Sequence, residues 1–190
     1  MANSDNPYGL RAIRHRNGAP YNGGGSLYHK AAADTTPLAP GDPVVVTGTA
    51  DTVGIPTITR ATAGASNAIT GVVIGRTNGE GTLLQDDTLN SPASTADYLL
   101  IEDNPDVVFS IQVSGALAAT DISNNVDLLA GAATEGKSAF EADSTTFGTG
   151  ATKQLKALRL VRNPENELDT NGKIEVMINN HTQSSGTTGV

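Results

Sequence analysis

Three histidines, His15, His29 and His181, are the only imidazoles in the chain. No two of them stand at H-x-H or H-x-x-x-H spacing, so no local pair is set to grip a metal ion or to serve a nucleophile. Serines are plentiful but none sits in a G-x-S-x-G elbow, and there is no cysteine. That excludes a thiolate nucleophile, a thiolate metal site and a disulfide framework. Paired carboxylates offer a further route to chemistry. Asp86-Asp87 and Glu102-Asp103-Asn104-Pro105-Asp106 could act as glycosidase acid and base or as calcium ligands. Asp169-Thr170-Asn171-Gly172 resembles part of a calcium loop, but the full series and its closing Glu are missing. Beside Pro and Gly, such acids are first of all turn formers. Gly23-Gly24-Gly25 and Gly79-x-Gly81 lack the G-K-[ST] continuation of a phosphate loop. The side-chain chemistry therefore points to a binding or structural protein and not to an enzyme, with no cofactor and no metal.

The residues best suited to binding are concentrated at the start. Residues 1–30 carry Arg11, Arg14, Arg16 and Lys30 against one acid, Asp5, and hold three of the 4 tyrosines, Tyr8, Tyr21 and Tyr28. They are +3 in a chain of net charge −8, so the remainder carries −11. No period of 2 or 3.6 runs through them, and Gly23-Gly24-Gly25 disfavours a helix. Aromatic and arginine side chains on a segment that cannot bury itself are the composition of a protein-docking strap. The expected partner is an acidic protein surface. The acidic body argues against direct contact with nucleic acid, which requires a positive footprint.

The elements that must carry these residues read as short strands. Hydrophobic content is 37% and aromatic content 4%, so the core must be built from Val, Ile, Leu and Ala. Val44–Thr47, Thr57–Arg60, Ile69–Ile74, Tyr98–Ile101, Val107–Val113 and Lys173–Ile178 are strand-like runs bounded by turn residues, and Ser138–Glu141 is a shorter one. Gly71 inside its run implies a bulge or a close backbone approach. Residues 117–129 and 155–161 fit either helical spacing or alternation, and for the second the alternation around Arg159 with Pro164 beyond favours a strand. Residues 76–95 read as a long polar surface loop. The sum is seven to nine strands in an all-β fold, a single β-sandwich or jelly-roll-like body, with an extended N-terminal arm. The expected division is arm and connector 1–40, body 41–182 and flexible tail 183–190. No run approaches a membrane span and the start has no signal-peptide pattern, so the expectation is a soluble product of the cytoplasm.

Three groups of residues resemble capsid cement, or decoration, proteins of short-tailed, podovirus-like bacteriophages. They are Asn6-Pro7-Tyr8-Gly9-Leu10-Arg11 with Arg14-His15 and Asn17-Gly18-Ala19-Pro20-Tyr21-Asn22-Gly23; Gly41-Asp42-Pro43-Val44-Val45 with Ile69–Val73 and Asp103–Val107; and Leu158–Val161 through Asn166-Glu167-Leu168 to Ile178–Thr182. The likeness spans most of the chain, with Ala12 standing where the family pattern has proline. The resemblance implies a structural virion protein on the exterior of an icosahedral head, assembled in the host cytoplasm. It would bridge major capsid subunits of the HK97 fold against the pressure of packaged DNA, as a dimer or trimer. In that role Tyr8, Leu10, Ile13, Tyr21 and Tyr28 would be packing anchors and Arg11, Arg14 and Arg16 would meet capsid carboxylates. Removing residues 2–30 would then abolish docking and spare the β fold. The alternative is a virion-surface adhesion or carbohydrate-binding β-sandwich, for which aromatics outside the first thirty residues are few.

Overall fold

A computed structural model of the protein describes residues 3–78, 83, 90–131 and 136–184. Much of the loop expected at 76–95, including Asp86-Asp87 and Gly79-x-Gly81, and most of the tail expected at 183–190 lie outside the described residues. The fold is all-β. Its strands are β1 (Arg11–His15), β2 (Ser26–Lys30), β3 (Pro43–Ala50), β4 (Pro56–Arg60), β5 (Gly71–Thr77), β6 (Asp97–Glu102), β7 (Val107–Gln112), β8 (Asn125–Val126), β9 (Leu128–Leu129), β10 (Glu141–Ala142), β11 (Leu155–Leu160) and β12 (Lys173–Ile178). The ambiguous stretch 117–129 resolves into a single 3-10 turn, Ala119–Asp121, and the two-residue strands β8 and β9.

Two layers hold these strands. One is a five-stranded sheet in the order β1-β7-β12-β11-β8, antiparallel throughout; the other is a closed barrel, β2-β4-β3-β5-β6. β9 and β10 form a two-stranded ribbon of their own, bridged to Val113 at the end of β7 through Ala142 and contributing Leu128 and Ala142 to the core between the layers. The layers meet over a shared core, the arrangement of a β-sandwich with one layer rolled up. Period-2 alternation explains how one strand serves two cores. In β5, Val72 joins the shared core beside Phe109, Ile111, Val176 and Leu155, whereas Val73 points into the barrel with Tyr28, Val44, Ile58, Leu99 and Ile101. Each fully buried Val, Leu, Ile or Phe contributes roughly 1.5–3 kcal/mol by its removal from water. A strand buried on both faces reads as a continuous apolar run, as Val72-Val73-Ile74 does. Gly71 is the close approach expected of it: a Cβ there would lie 2.4 Å from the Glu102 carbonyl oxygen.

The first thirty residues are extended, but they lie within the two layers. β1 is the edge strand of the sheet, paired with β7, and β2 closes the barrel between β4 and β6. The division expected at residue 40 therefore does not separate a free arm from a body. Gly9 and Gly41 lock the two parts together. Both have positive φ, and a Cβ on Gly9 would lie 2.3 Å from the Gly41 carbonyl oxygen, which accepts the Leu10 N–H at 3.0 Å. Two of the resemblance motifs, around Gly9 and around Gly41, are thus one packing junction. With β2 paired on both edges, removal of residues 2–30 would open the barrel, against the expectation that the fold survives it.

Candidate partner-binding face

The eight residues expected to dock divide by environment. Leu10 is 2% exposed and Tyr28 4%, and both pack into the chain's own cores, so neither is an anchor for a partner. Their burial follows from strand alternation: Leu10 and Ala12 face the shared core, and Tyr28 faces the barrel interior. Ile13 is half-buried at a bulge between Ala12 and Arg14. Tyr21 is half-buried, its hydroxyl donating to the Gly24 carbonyl at 2.9 Å within a turn. The remaining four, Tyr8, Arg11, Arg14 and Arg16, gather on or beside the outer face of the five-stranded sheet.

That face follows from the register. Phe109, Ile111, Ile174, Val176, Leu155 and Ala157 point to the core, so their neighbours Ser110, Gln112, Lys173, Glu175, Met177 and Lys156 point outward. Arg11 lies opposite Ser110 and Arg14 opposite Val108. Glu175 is at the centre: its Oε2 accepts Arg14 Nη2 at 2.6 Å and Arg159 Nε at 2.9 Å, with the carboxylate side chain only 12% exposed. One carboxylate shared by two guanidiniums leaves a positive surplus. Tyr8 lies across the same face and donates to Ser110 Oγ at 3.3 Å. Burial raises the Tyr8 phenol above its ordinary pKa, against the lowering effects of the Ser110 bond and the Arg11 charge.

Arg16 extends the face at one end, 3.8 Å from Asp106. Both partners are largely exposed, and such a pair contributes only about 0–1 kcal/mol. Arg11, Arg14, Arg16, Lys156, Arg159 and Lys173 are half of the chain's 12 basic residues, set here against Glu175, Asp106 and, at the Gln112 end, Asp5 and Glu141, which accept from Gln112 Nε2 at 2.8 and 2.9 Å. Several of the others are neutralised or buried. Arg76 pairs with Asp97 at 2.6 Å, Lys153 pairs with Asp127 at 3.1 Å, and Lys30 is fully buried. Lys30 Nζ donates to the carbonyls of Asp34, Pro92 and Thr95, tying the loops at one end of the barrel. The acidic chain therefore carries one cationic sheet face. Lys156, Arg159 and Lys173 were not among the expected docking residues. Their signal was the outward half of the alternation in β11 and β12, legible only once those strands are paired with β7.

The remaining chemistry candidates occupy structural roles. Asp103 accepts Ser26 Oγ at 3.0 Å and the Tyr28 hydroxyl at 2.9 Å, and Glu102 and Asn104 accept the N–H groups of Asn104 and Asp106. Asp169 accepts the Thr170 N–H, and Asn171 has φ +60°, a turn. His29 bonds Thr57, and the His15 ring is 6.3 Å from that of Tyr21. His181 is 1% exposed, and its Nδ1 accepts the Gln183 N–H at 3.0 Å. Among the described residues no group of three or more His, Cys, Asp or Glu is placed to hold a metal ion, and no helix is long and apolar enough to cross a membrane. Comparison of the chain with family models, curated proteins and solved structures finds no match.

Proposed function

We propose that this chain is a capsid cement protein of a tailed bacteriophage. It binds the exterior of the head through the outer face of the β1-β7-β12-β11-β8 sheet and bridges neighbouring HK97-fold subunits. The observation that carries this reading is the cationic face on a protein of net charge −8. It supplies arginine and lysine donors to an acidic protein surface, with Tyr8 and Met177 as apolar contacts. Arginine presents a rigid fork of donors to carboxylates, and this suits a protein interface. The resemblance of Asn6–Arg11 and Asn17–Gly23 to cement proteins points the same way. A rigid β body also suits the role, because each added copy shares load without refolding, and many modest contacts act together.

The test is co-sedimentation of the full-length protein with phage heads prepared without it. Wild type is expected to saturate the heads, with affinity falling as salt rises through the screening range. Lys156→Glu combined with Arg159→Glu is expected to abolish saturation and keep a cooperative melt, at a midpoint lowered by the loss of the Arg159 pair to Glu175. Undiminished head binding by the folded double variant would remove this face from the account.

A further inference from the structure

A cavity of about 460 Å³ opens where the barrel meets the sheet, and four of the residues first expected to dock (Tyr8, Leu10, Arg11 and Tyr21) line it. Its apolar wall includes Leu10, Val72, Ile74 and Phe109, and its polar lining includes Glu102, Arg11 and Lys137. The volume lies within the range of sites that hold small ligands or peptide side chains.

The polar groups are unevenly matched. Glu102 is 5% exposed and makes no ion pair among the described residues. Its carboxylate accepts the Asn104 N–H at 3.0 Å and faces the Tyr21 phenol, with Asp103 and His15 also close enough to act on it. A buried carboxylate against an apolar wall is stabilised strongly by an incoming cation. Among the described residues Arg11 likewise makes no ion pair, and Lys137 bonds the neutral Asn6 amide and no carboxylate. A simple metal ion or free amine would meet these two cations as well as the carboxylate. A short segment bearing both signs of charge around an apolar side chain complements the whole lining.

We infer that this cavity is a second binding site, which takes an extended peptide segment of a partner protein carrying a basic, an apolar and an acidic residue close together. The basic side chain pairs with Glu102, the apolar one packs on Val72, Ile74 and Phe109, and the acidic one meets Arg11 and Lys137. This site shares Tyr8 and Arg11 with the edge of the cationic sheet face but uses neither Lys156 nor Arg159, and it does not depend on the partner being a capsid.

The test is an NMR titration of the isotopically labelled full chain with two probes, the acetylated and amidated tripeptides lysyl-leucyl-aspartate and aspartyl-leucyl-lysine. At least one is expected to give saturable shifts at Leu10, Val72, Ile74 and Gly136, with Kd at or below about 1 mM. Glu102→Gln should weaken that binding at least about tenfold. Replacing the probe's lysine by norleucine should weaken it similarly. Ile74→Phe, which fills the cavity, should abolish binding and serves in place of Glu102→Gln if that variant misfolds. No saturable shifts with either tripeptide, shifts confined to other surfaces, or equal binding by Glu102→Gln would each overturn the proposal. Lys156→Glu with Arg159→Glu should leave tripeptide binding intact, so failure of this site and failure of the head-binding face are distinguishable.

Discussion

Replacing Leu10 by alanine separates a core role from a docking role for the N-terminal segment. Leu10 is 2% exposed and packs in the shared core with Phe109 and Val72, and its N–H is fixed to the Gly41 carbonyl at 3.0 Å. Truncation removes buried methyl groups and leaves a void that the β-sheet neighbours only partly close, a cost of about 2–5 kcal/mol. In a domain of this length each kcal/mol shifts the thermal midpoint by about 2–4 °C, so a fall of roughly 4–20 °C is expected. Arg11→Ala, one residue on and exposed, is the matched control and should stay within about 0.5 kcal/mol of wild type. Circular dichroism melts of the three proteins read the comparison directly. A Leu10→Ala melt superimposable on wild type, with head binding lost, would refute the core assignment and restore Leu10 as a docking anchor. Deleting residues 2–30 extends the same argument. β2 is bonded to both β4 and β6 and supplies Tyr28 to the barrel core, so the truncated chain should lose its cooperative melt.

Two further perturbations probe buried polar groups. Burial lowers the pKa of His181 below its ordinary 6.5, with Asp103 acting in the opposite sense. The folded state therefore favours the neutral ring. Its contribution is complete above about pH 6.5 and falls by up to about 1.4 kcal/mol per pH unit below it, until the folded-state pKa is reached. The difference in urea midpoint between wild type and His181→Asn should accordingly shrink from pH 7.5 to pH 5.5. That difference isolates the imidazole from Asp42, Glu102 and Glu141, whose raised pKa values act oppositely; an unchanged gap would contradict the assignment. Lys30→Met keeps the length of the side chain but leaves the Asp34, Pro92 and Thr95 carbonyls without their donor. Chemical denaturation should register a loss of about 1–3 kcal/mol or more, and a neutral result would show that water replaces the ammonium.

The all-β class was legible because β3 to β7 and β12 alternate or run apolar between turn residues, a signal that does not depend on tertiary partners. β1 and β2 were not legible as strands for specific reasons. The bulge between Ala12 and Arg14 breaks the period of β1. In β2 the inward pair is Tyr28 and Lys30, and a lysine at a buried position hides the alternation until its three carbonyl acceptors are known. The +3 charge of the opening segment was visible, but its geometry was not. Arg14 shares Glu175 with Arg159, residues that come together only through the β1-β7-β12-β11 register. Within the acidic run 102–106, Asp103 and Asn104 show the reverse case: residue types that suggested chemistry are occupied in holding Ser26 and Tyr28 and in a turn.

Capsid cementing by this chain is tested by a cryo-electron microscopy reconstruction of the virion that contains it. Density for the β fold is expected on the outer head shell, in contact with neighbouring capsid subunits, with Arg11, Arg14, Lys156 and Arg159 turned toward capsid carboxylates. Density in the tail or the head interior, or on the shell with this sheet face turned to solvent, would contradict it.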